Sequence, residues 1–136
     1  MPVRVRWYDD TQTTVLYEFS GKWTWNEFYP VYQQAYEMIT SVEHIVHSIS
    51  MPTDDEARGH VPVGALTHIP SIIRKTPSNG GIAAVITQGR FWRTMDGVIG
   101  KMLPAYRNNV AFVASLEEAL ARIAESQAEE IVDNEH

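Results

Sequence analysis

Ser78-Asn79-Gly80-Gly81-Ile82-Ala83-Ala84-Val85-Ile86 opens the stretch that decides the fold. A four-residue turn signal, 78–81, leads into a short β-rich run, 82–86. Apolar residues then recur at helical spacing (Phe91, Trp92, Met95, Val98, Ile99, Met102), which predicts a helix. Val110-Ala111-Phe112-Val113 reads as a second short strand. Ser115-Leu116-Glu117-Glu118 follows as a capping box, with Leu116, Ala119, Leu120 and Ile123 on the face to be buried. Strand, helix, strand, helix is the signature of an α/β domain with a parallel sheet.

Working back toward the N-terminus, the pattern extends. Val3, Val5 and Trp7 alternate with Arg4, Arg6 and Tyr8, a half-buried strand. Polar residues 9–12 separate it from the β-branched and aromatic run Thr14 to Phe19, so the two form a hairpin. Thr24 and Glu27 make a capping box for a helix whose stripe is Trp25, Phe28, Tyr29, Tyr32, Tyr36 and Ile39. Pro30 interrupts that stripe and predicts a kink. Glu43 to Met51 reads as an inner strand, 52–64 as a polar loop, and Leu66 to Lys75 as a short helix containing Pro70. The order is β-β-α-β-α-β-α-β-α: one mostly parallel sheet with an antiparallel first strand.

The chain has 136 residues, enough for one domain with its own core. Residues 1–125 form that domain, and 126–136 read as an acidic, frayed tail that folding does not need. The net charge of −6 is largely local: four of the 17 acidic residues lie in the tail, leaving 13 against 11 basic residues in the body. That balance gives no reason to expect nucleic acid or an anionic membrane as partner. Cysteine is absent, which excludes disulfides and thiolate chemistry. No run approaches the ~20 apolar residues of a membrane span, and the N-terminus lacks a signal-peptide core. The expected location is cytoplasmic.

Three passages resemble the STAS-like fold, that of sulfate-transporter and anti-sigma-factor-antagonist domains, and in particular its divergent bacterial members. Residues 16–28, LYEFSGKWTWNEF, are similar to the family's second strand, glycine and first helix cap. Residues 82–86 with Phe91-Trp92 are similar to its fourth strand and following helix, and residues 110–120 to its closing strand and helix. The resemblance implies a regulatory or binding module rather than an enzyme. Phospho-switched members carry Asp-Ser-Ser-Gly or similar at the start of the helix after the third strand. Here residues 59–66, GHVPVGAL, hold no Ser or Thr, so a kinase-controlled switch is not expected.

Candidate chemistry is sparse. No glycine-rich cofactor loop, Walker loop or nucleophile elbow is present, and no cofactor is expected. Ser48 and Ser50 fall inside a strand rather than on an exposed turn. His44 and His47 are three apart on a predicted strand, so they face opposite sides and cannot share an ion. Asp54, Asp55, Glu56, His60 and His68 supply ligand types without a recognised spacing; they are the basis of the alternative reading, a small metal-dependent enzyme. Gln88, Gly89, Arg90 and Arg93 at a helix start form a possible anion site.

The aromatics carry the favoured reading. Ligands of open α/β sheets bind beyond the carboxyl ends of the strands. Trp23, Trp25, Met51, Phe91 and Trp92 fall at those ends, with Trp23 and Trp92 expected to be partly exposed. A protein partner or a small lipophilic molecule is expected there. A two-fold homodimer is expected through an aromatic helix face, since Arg4 and Arg6 blunt the first strand's edge.

Overall fold

In the computed structural model, β1 (Val3–Trp7) and β2 (Thr14–Phe19) pair antiparallel, with Val3 opposite Phe19 and Trp7 opposite Val15. The structure describes residues 2–87, 94, 97, 98, 100, 101 and 109–134. The hairpin turn carries Gln12 at φ 55, and the Asp9 carboxylate accepts the Thr11 N–H at 3.1 Å. From β2 the chain alternates: α1 (Trp25–Thr40), β3 (Val46–Pro52), α2 (Ala65–Arg74), β4 (Gly80–Ile86), β5 (Val110–Val113) and α3 (Leu116–Asn134). The helix expected over 91–102 falls largely outside the described residues.

The sheet order is β1-β2-β3-β4-β5, with β2 to β5 parallel. Crossovers of one hand that always step in the same direction place their helices on the same face. Accordingly α1 and α2 share one face, over Val3, Val5, Val15, Tyr17, Phe19 and Val46. The other face would be bare without α3, whose Ala119 and Ile123 cover Leu16, Ile49 and Ala84. Ser115 Oγ accepts the Glu118 N–H at 3.2 Å, while the Glu118 carboxylate reaches back to the Ala114 N–H at 2.9 Å. The helix runs on past Glu125 to Asn134. Among the described residues no helix is long and apolar enough to cross a membrane.

The first helix starts where its capping box requires: Thr24 Oγ1 accepts the Glu27 N–H, and the Glu27 carboxylate accepts the Thr24 N–H at 3.0 Å. α1 is continuous through Pro30, which lies exposed on the outer side. Its buried stripe is Trp25, Phe28, Val31, Ala35 and Ile39, so the expected Tyr29, Tyr32 and Tyr36 flank the seam rather than form it.

The expected strand over 43–51 begins later, at Val46, and Ile45 is exposed. The cause is Asn79, whose side-chain amide donates to the carbonyls of Ile39, Val42 and His44 at 2.8–3.1 Å. That amide ties 42–44 into the turn after α1 and keeps them out of the sheet. The expected turn over 78–81 is also shorter, because Gly80 and Gly81 already belong to β4. Between Val46 and Ser48 the register with β4 shifts, so that Val46 faces Gly80 and Ser48 faces Ala83. The extra residue lies in β4, a bulge. There the His47 Nδ1 accepts the Ile82 N–H at 2.9 Å, an imidazole standing in for a ladder carbonyl.

Candidate functional site: an apolar cavity beneath the second helix

Alternation along the parallel strands sends Val46, Ser48 and Ser50 of β3 toward α1 and α2, and Ile49 and Met51 toward α3. Across the sheet, Tyr17, Ser50, Val85 and Phe112 stand in one row, and Val15, Ser48, Ala83 and Val110 in the next. The two central strands therefore put Ser48, Ser50 and Ala83 where branched side chains would otherwise fill the layer. Space remains: a cavity of about 250 Å³ lies between this floor and the roof formed by Ile69, Ile72 and Ile73 of α2.

Aromatic rings close one side. Phe19 and Trp23 approach to 4.7 Å between ring centroids, Trp23 and Trp25 to 5.2 Å at 86°, and Trp25 and Phe28 to 5.8 Å at 90°. The two edge-to-face contacts, Trp23–Trp25 and Trp25–Phe28, favour a defined arrangement over a loose apolar pile. The carboxyl end of the cavity is bounded by Pro52, Ala57, Gly59, His60 and Thr87, and the opposite end by Thr76, Pro77 and Gly80.

The roof is attached through two Trp–His pairs. His60 Nε2 donates to the Trp23 carbonyl at 2.9 Å, and its ring meets the Trp23 indole edge-on at 5.8 Å. His68 stacks on Trp25 at 4.8 Å and 24° and bonds the Tyr29 hydroxyl through Nδ1. Trp25 Nε1–H donates to the Val63 carbonyl at 2.9 Å. The first turn of α1 thus holds the start of α2, whose N-cap is Gly64 in the left-handed region at φ 88.

Contacts of this kind engage Asp54, Asp55, His60 and His68 of the 54–68 loop, while Glu56 is exposed. The Asp54 carboxylate accepts the Gly21 N–H at 3.0 and 3.1 Å and the Ala57 N–H at 2.9 Å. Asp55 pairs with Arg58 in solvent, and His60 and His68 are held as above. Among the described residues no three His, Asp or Glu side chains converge as a metal-ligand set. His44 lies before β3 and bonds the Gln12 carbonyl at 2.8 Å, while His47 is buried in the sheet.

Of the aromatics read as a site, Trp23 and Trp25 line the cavity. Trp23 was expected to be partly exposed; it is buried, because Phe19, Phe28, Trp25 and His60 surround its indole. Met51 is on the opposite face, packed with the Leu16–Ile49–Ala84 cluster, as its odd position in β3 dictates. Phe91 and Trp92 lie outside the described residues, as do Gln88, Gly89, Arg90 and Arg93.

The strand pattern did not single out the polar residues of the lining. Tyr17, Tyr32, Ser48 and Ser50 all face the cavity. Burial, with a further contribution from Tyr32, pushes the Tyr17 phenol well above its ordinary range. Burial, then Tyr36 and Tyr29, raises Tyr32. The signal that could have found the serines is their alternation: two small polar residues on one face of an otherwise apolar central strand.

Comparisons with models of known protein families, with characterised proteins and with solved structures find no match to this chain.

Proposed function

We propose that the chain is a non-catalytic binding module that takes a small lipophilic molecule into the cavity between the sheet and α2. One observation carries this reading: a space of about 250 Å³ whose walls are mainly aromatic and aliphatic and whose floor is lowered by Ser48, Ser50 and Ala83. The pocket is partly open, and a lipophilic ligand seated in it would remove apolar wall surface from water. Ligand pockets share this character, apolar walls with a few placed polar groups. The STAS-like resemblance belongs to the proposal as its sequence-level support, with regulation through ligand occupancy in place of the phospho-acceptor serine.

The engaged state of Asp54, Asp55, His60 and His68 weighs against the metal-dependent alternative. Native mass spectrometry of gently purified protein tests the proposal. The expected result is an adduct of small mass that organic extraction removes, with a fall in melting temperature once it is gone.

A further inference from the structure

Six hydroxyl side chains line the cavity: Thr76 and Thr87 at its ends, and Tyr17, Tyr32, Ser48 and Ser50 between them. The Tyr32 hydroxyl oxygen is shielded from solvent and has no hydrogen-bond partner, although its ring is only half-buried. Nor do the side chains of Tyr17, Ser48 and Ser50 hydrogen-bond to any described residue. The groups are close-set. Tyr17 and Ser50 are direct neighbours across β2 and β3, Ser48 is two residues along, and Tyr17 and Tyr32 both pack on the Phe28 ring at 5.8 Å. A buried hydroxyl without a partner costs about 1–3 kcal/mol, so the Tyr32 hydroxyl on α1, facing Tyr17, Ser48 and Ser50 on the sheet, marks a place where something polar belongs.

The charge of that group follows from the lining. Among the described lining residues there is no Lys, Arg, Asp or Glu; His60 is at the rim and already bonded to Trp23. None of the described lining residues would offer an ion in such a space a counter-charge to offset its desolvation. The raised phenols of Tyr17 and Tyr32 report the same penalty on negative charge. At about 250 Å³ the space lies at the lower end of ligand-pocket sizes, so the ligand is small.

We infer that the ligand is a small uncharged amphiphile, an alcohol, ketone or amide, whose polar group is held by Tyr17, Tyr32, Ser48 and Ser50 between α1 and the sheet. The inference rests on the cavity reading above and narrows it to a ligand class. Hydroxyls both donate and accept, so they suit a neutral group that does either.

Titration calorimetry at pH 7.5 with 1-octanol and with octanoate, matched in length and differing in charge, tests it. Octanol should bind at least about tenfold more tightly than octanoate. Tyr17→Phe and Tyr32→Phe should each weaken octanol about five- to tenfold, one lost hydrogen bond in each case. Ser50→Ala, which trims the strand without altering its backbone, gives the same readout should either tyrosine variant fold poorly. Octanoate binding as tightly as octanol, or octanol indifferent to all three substitutions, would overturn the neutral-head assignment while leaving a lipophilic cavity. Failure of both probes to bind would overturn the cavity reading itself.

Discussion

The imidazole of His47 occupies the space into which a side chain on Gly81 would project. A Cβ at Gly81 would collide with His47 Nδ1 and Cε1 and stand 2.9 Å from Ile45 Cγ2. The ring is held there because Nδ1 accepts the Ile82 N–H at the bulge, and His47 itself is fully buried. Glycine at 81 and histidine at 47 are one structural unit, and the bulge they form sets the register that aligns Ser48 with Ala83 in the cavity floor.

Gly81→Ala should therefore destabilise the fold by about 1–3 kcal/mol, the usual cost of overpacking. His47→Ala should cost a similar amount by leaving the Ile82 amide without its acceptor. The double variant should cost less than the sum, since removing the ring relieves the clash at 81. Urea melts of the four proteins measure the coupling; strict additivity would refute the account of the bulge.

Asp54 is a structural carboxylate. Asp54→Ala should cost about 1–3 kcal/mol, because two backbone amides, Gly21 and Ala57, lose a charged acceptor. Zinc added to the unmodified protein should leave its melting temperature unchanged. A saturable rise that disappears in Asp54→Ala or His60→Ala would favour the metal reading instead.

Stability should fall at alkaline pH. Tyr17 keeps its proton in the folded state to a pH above the ordinary phenol value of about 10, because burial and then Tyr32 disfavour the phenolate. From about pH 10 upward the unfolded state therefore binds fewer protons than the folded state, and unfolding is favoured as pH rises. The slope approaches about 1.4 kcal/mol per pH unit for Tyr17, with a smaller part from Tyr32. Denaturant midpoints between pH 9 and 11 check this, and Tyr17→Phe should flatten the decline.

Trp25 is the pivot of the roof. Trp25→Phe removes the bond to the Val63 carbonyl and the indole face on which His68 stacks. Hydrogen exchange should accelerate across 62–74 while the amides of β3 stay protected. Equal acceleration in both regions would show that α2 and the sheet open as one unit.

Much of the fold was legible because it depends on local chemistry. The Thr24–Glu27 box, the Val3–Phe19 hairpin and the apolar spacing of 116–123 each carry their own periodicity or cap. What was not legible depends on contacts between distant residues. Asn79 shortens β3 by bonding carbonyls 35–40 residues away, and the bulge at Gly81 depends on His47, whose imidazole bonds Ile82 across 35 residues of sequence. Trp23 and Trp25 were identifiable as aromatics at strand and helix ends. The hydroxyl-bearing floor was not, because Ser48 and Ser50 look like interruptions of a strand until Tyr17 and Tyr32 are brought to face the same space.

Tryptophan emission during titration with 1-octanol, on the native protein and on Ser48→Phe, tests the central claim most directly. Trp23 and Trp25 border the cavity, and a phenyl group at position 48 would fill it from the floor. The account predicts a saturable change in emission with a parallel rise in melting temperature for the native protein. It predicts neither for a folded Ser48→Phe variant, whose melting temperature should already be unaffected by octanol. An emission change of equal size in both proteins, or none in the native one, would contradict it.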